Sequence, residues 1–98
     1  MNHADSTVRA ELINGLRSLA DYLESTPEMP APTWQVMYMF PPHGDWPQMC
    51  AEIDAAAARL GVTARLTGGG HYVASRFFGP VEYRAVAIPH DNENERGE

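Results

Sequence analysis

The sequence predicts an α+β two-layer sandwich in the order α-β-α-β-β-β: a four-stranded, mainly antiparallel sheet with two helices on one face. Three observations predict it. Apolar residues recur at helical spacing over 6–24 and 46–60. Four other segments alternate or are rich in β-branched and aromatic residues. Proline and glycine clusters mark most of the junctions between them.

The first helix begins at Ser6, with Asp5 or Ser6 placed to cap its leading amides. Val8, Leu12, Leu16, Leu19 and Leu23 form its stripe, and Ile13 and Ala20 widen it. The helix is expected to end soon after Glu24, because Pro27 cannot continue it. Residues 27–32 hold three prolines and read as a stiff extended turn-around inside one domain.

Residues 33–40 read as the first strand. Trp34, Val36, Tyr38 and Phe40 share one face, and Gln35, Met37 and Met39 the other. Asp45 and Gln48 then form a capping box, with Pro47 in the first turn. Trp46, Met49, Cys50, Ile53, Ala57 and Leu60 are the expected buried stripe, and Gly61 suits a left-handed cap. Strands follow at 62–66, 71–78 and 81–88, the last three forming a meander joined by Gly68-Gly69-Gly70 and Gly79-Pro80. The first and second strands, joined through a helix, would be parallel if adjacent. The expected organisation is a single α+β domain over 1–88, followed by a disordered acidic tail at 89–98.

A chain of 98 residues has room for one modest core, which excludes a repeat array or a dinucleotide domain with a separate substrate domain. The formal charge is −6, from 13 acidic and 7 basic side chains, and every basic residue is Arg. Residues 91–98 carry four acids and one Arg, a net −3, so the other ninety residues carry −3 as well. So balanced a body has no basic stripe for phosphate contacts. Cys50 is the single cysteine, which excludes an intrachain disulfide and any multi-thiolate metal site. With no secretory signal and no long apolar run, the expectation is a cytoplasmic protein with no membrane partner.

No catalytic constellation stands out. The triple glycine precedes a strand rather than a helix, so it reads as a loop and not as a phosphate cradle. His43, Asp45 and Cys50 lie close in sequence but lack the spacing of a metal site. Ser75 and His71 share a strand face without an evident acid. No metal, no cofactor and no enzymatic activity are expected. Instead, Tyr72, Arg76, Tyr83 and Arg84 on the last hairpin, with Trp34, Met37 and Met39 on the first strand, are the candidate interaction face. Arg among aromatics is the composition interfaces favour.

The segments 15–24, 69–72 and 78–88, together with Pro30, resemble a group of small proteins from actinobacteria and their phages. The resemblance spans most of residues 10–88 and implies a bacterial or phage cytoplasmic setting. It transfers no site residue. The expected function is a protein-interaction or regulatory module, a phage or mobile-element accessory protein acting on a host macromolecule or pairing with itself as a homodimer. Nucleic-acid binding through the same Arg/aromatic face is the second reading, and a small ligand binder or enzyme the third.

Overall fold

The computed structural model describes residues 5–42 and 44–89. The elements are α1 (Ser6–Ser25), β1 (Gln35–Met39), α2 (Trp46–Leu60), β2 (Arg65–Leu66), β3 (Tyr72–Phe78) and β4 (Val81–Ala87). This is the expected α+β order, with a four-stranded sheet that is mostly antiparallel. The chain divides into two compact units, Met1–Thr33 and Trp34–Glu98. Each unit is described on its own. Residues 90–98, most of the expected acidic tail, lie outside the described residues, as does His43.

In the first unit, the Asp5 carboxylate accepts from the Val8 amide at 2.9 Å and starts α1. Thr26 ends the helix, and its carbonyl accepts from the Met29 amide as the chain turns into the proline segment.

In the second unit, α2 has strong signals at both ends. Asp45 accepts from the Gln48 amide while the Gln48 side chain accepts from the Asp45 amide, each at 2.9 Å. Gly61 takes φ 74°, and the amides of Gly61 and Val62 donate to Ala58 and Ala57. Val62 thus spends its amide on the helix cap, and the second strand shrinks from the expected 62–66 to Arg65–Leu66.

The strand order is β1-β4-β3-β2. The meander β2-β3-β4 is antiparallel, as expected. β1 pairs with β4, in parallel, so β1 and β2 occupy opposite edges rather than neighbouring positions. The two-residue Gly79-Pro80 turn, with Gly79 at φ 60°, sets the β3–β4 register so that Phe78 faces Val81 and Ala74 faces Ala85. The core lies between α2 and one face of the sheet: Met49, Ile53 and Ala57 from the helix, Ala74, Ala85 and Ala87 from the strands. Alanines on both sides let helix and sheet approach closely, leaving Ile53 as the one large side chain fully buried among the described residues. No helix of the described residues is long and apolar enough to cross a membrane.

Candidate functional site

Strand parity divides the expected interaction face in two. Tyr72 and Tyr83 pack against the core beside α2, together with Met39. Met37 is paired with Tyr83 in the ladder and so shares that side. The Tyr72 hydroxyl donates to Asp54 of α2 at 2.6 Å, and this bond, ahead of partial burial, raises its pKa. Arg76 also turns toward α2: its guanidinium donates to the Leu60 carbonyl at 3.4 Å and lies 4.9 Å from the Phe78 ring centre. Of the hairpin residues singled out from sequence, only Arg84 points to the other side. The expected shared surface is therefore corrected: neighbours in sequence on a strand face opposite ways, so Tyr83 and Arg84 cannot serve one face. Trp34 immediately precedes β1 and is 59% exposed.

The second face carries a polar cluster in which an Arg–Glu pair on β4 is joined by Ser75 of β3. Glu82 is only 3% exposed, between Val36 of β1 and Phe77 of β3 in the ladder. The Ser75 hydroxyl donates to its Oε2 at 2.7 Å, and Arg84 Nε donates to the same oxygen at 2.9 Å. Ser75 and Arg84 are themselves ladder partners, so the three groups close a triangle across β3 and β4. The Ser75 bond holds the Glu82 carboxyl below its ordinary range. The Arg84 bond and charge and the more distant Arg65 act in the same direction, against burial, which pushes upward. A buried carboxylate is tolerable only when paired and hydrogen-bonded in this way. Arg84 itself keeps 37% of its side chain exposed.

Aromatic rings adjoin this cluster. Tyr38 is the ladder partner of Arg84 on β1, and its ring stacks on Phe40 at 5.9 Å with 7° between planes. Tyr38, Phe40 and Phe77 are 55%, 54% and 57% exposed. Val73 and Val86 on the same side are buried, so the accessible ground lies toward β1 and the β3–β4 turn. Strand alternation and the tight Gly79-Pro80 turn suffice to set Ser75 opposite Arg84 and to put Val36, Tyr38 and Phe40 on one face of β1, whereas bringing the two groups together takes the β1–β4 pairing.

Cys50 is partly buried on α2, and burial, with Asp54 nearby, raises its pKa and keeps the thiol protonated. No three His, Cys, Asp or Glu side chains come together as a metal site among the described residues. Compared with protein-family models, curated proteins and solved structures, the chain matches none.

Proposed function

We propose that this chain is a non-enzymatic protein-interaction or regulatory module whose contact ground is the sheet face away from α2, centred on Arg84. One observation carries the reading: a buried acid, Glu82, grips Arg84 through Nε beside the exposed rings of Tyr38, Phe40 and Phe77. A guanidinium already held by a carboxylate loses little freedom on meeting a partner, and rigid rings supply contact area at low entropic cost. The planar fork of Arg suits the carboxylates of an acidic protein segment.

Charge favours protein over polyanion. Described residues from 34 to 89 carry Arg59, Arg65, Arg76 and Arg84 against Asp45, Glu52, Asp54 and Glu82, four minus four. A neutral unit offers little of the counterion release that drives phosphate binding. In the bacterial or phage cytoplasm suggested by the sequence resemblance, this is an accessory protein acting on a host macromolecule.

The test is affinity capture from host lysate with wild type, Phe77→Ser and Arg84→Lys as baits, each matched for folding by circular dichroism. Arg84→Lys keeps a cation beside Glu82 but removes the fork, and Phe77 is a surface ring. Loss of the same captured protein with both variants is the expected result. Retention by both overturns the assignment, and binding to unrelated duplex DNA that weakens steeply with salt overturns it in favour of nucleic acid.

A further inference from the structure

We infer that β1 is a pairing edge for a second copy of this chain, joined antiparallel about Met37 so that two four-stranded sheets become one of eight strands. The inference does not rest on Arg84 or on the face reading above.

The two edges of the sheet are unlike. β2 is two residues long and includes Arg65, the short, charged kind of edge that resists further pairing. β1 is five residues long, Gln-Val-Met-Tyr-Met, with no charge and no proline inside it. Prolines at 30, 32, 41 and 42 bracket it and confine pairing to this window.

The direction of its backbone groups follows from its ladder with β4. The Gln35 amide donates to the Pro80 carbonyl at 3.1 Å, so Gln35, Met37 and Met39 turn their amides and carbonyls toward β4. Val36 and Tyr38 therefore turn theirs outward. The Val36 carbonyl accepts a 3.3 Å bond from the Gln35 side-chain amide, an exposed contact that a backbone donor displaces readily.

Those outward groups are self-complementary. Antiparallel pairing about Met37 sets Val36 opposite the partner's Tyr38 and Tyr38 opposite the partner's Val36, and each such pair exchanges two backbone hydrogen bonds. Met37 meets its own copy at the central, closely spaced position. All five strand residues are used in this register, whereas a shift by two in either direction leaves strand residues unmatched. The flanking rings match as well: Trp34, at 59% exposed, lies opposite the partner's Phe40, at 54%. With no charge on the strand there is no like-charge repulsion across the axis, and a two-fold interface of this kind closes on itself.

Sedimentation velocity of the full chain, from micromolar to submillimolar concentration, reads the oligomeric state. A reversible dimer is expected. Val36→Pro removes an outward amide that β4 does not use and should raise the dimer Kd by about tenfold or more. Tyr38→Lys should do likewise by placing a charge on the edge, and it guards against a folding defect peculiar to proline. In a Cys50→Ser background, Met37→Cys should oxidise to a covalent dimer, while Gln35→Cys should not, because its mate is Met39. A monomer at every concentration overturns the inference, as does a dimer that both edge variants leave intact; crosslinking through Gln35→Cys overturns the register. Phe77→Ser should leave the dimer unchanged, so failure here and failure of the interaction-face reading are read separately.

Discussion

Glu82 and Arg84, two residues apart on β4, form a 2.9 Å ion pair in which the acid is almost wholly buried and the base stands half in solvent. The carboxylate thus works as a fixed anchor inside the sheet and the guanidinium as its exposed end. Ser75, on the neighbouring strand, completes the anchor from the side.

The anchor makes stability depend on pH. The Glu82 carboxyl is held below its ordinary value, chiefly by the Ser75 bond. As pH falls, the unfolded chain takes up this proton before the folded one does. The pair's contribution is therefore complete above the ordinary value and is lost as pH drops through the lower folded value. Thermal melts of wild type and Glu82→Gln across the acid range should differ at neutral pH and converge in acid. Parallel curves at every pH would show that the charge of Glu82 is not what stabilises this face.

Ile53 is the one large side chain fully buried among the described residues, and the core around it holds Ala57, Ala74, Ala85 and Ala87 beside Met49. Removing three carbons there leaves a cavity that the short alanine side chains cannot fill. Ile53→Ala should cost about 2–5 kcal/mol, a large share of the roughly 5–15 kcal/mol that holds a small domain together. Chemical denaturation should show a much lower midpoint with the slope retained.

The ends of α2 separate a lost hydrogen bond from a strained backbone. Asp45→Ala removes the bond to the Gln48 amide and should cost about 1 kcal/mol. Gly61→Ala meets open space but must adopt φ 74°, at a cost of about 1–2 kcal/mol. Measured by denaturation, the two losses should add, since neither cap shares a partner with the other.

How much of this could be read from the chain itself depended on distance along it. The Asp45–Gln48 box, Gly61 and the Gly79-Pro80 turn act within a few residues, so α2 and the β3–β4 hairpin were legible. The neighbour of β1 was not, because no turn ties Gln35 to Val81 and only the finished sheet pairs them. The second strand is shorter than apolar Val62 and Ala64 suggest, because Val62 serves the helix cap and both pack at the core's margin without a ladder. The interaction face divides for a different reason. Tyr83 and Arg84 are adjacent in sequence, but strand alternation sends them to opposite sides, and the Glu82 triangle closes only once Ser75 is set opposite Arg84.

The parallel pairing of β1 with β4 also orders the way this unit can assemble. Gln35 meets Val81 across 46 positions of chain (81 − 35), while the β3–β4 hairpin closes through two residues. Long closures cost more entropy before any contact rewards them, so the hairpin and α2 can form early and β1 has to be recruited late. During synthesis β1 leaves the ribosome well before its partner strand exists. In the monomer, below the dimer Kd, the amides that Gln35 and Met37 direct at β4 should exchange with deuterium faster than those at the β3–β4 centre, making the first strand made the last one secured.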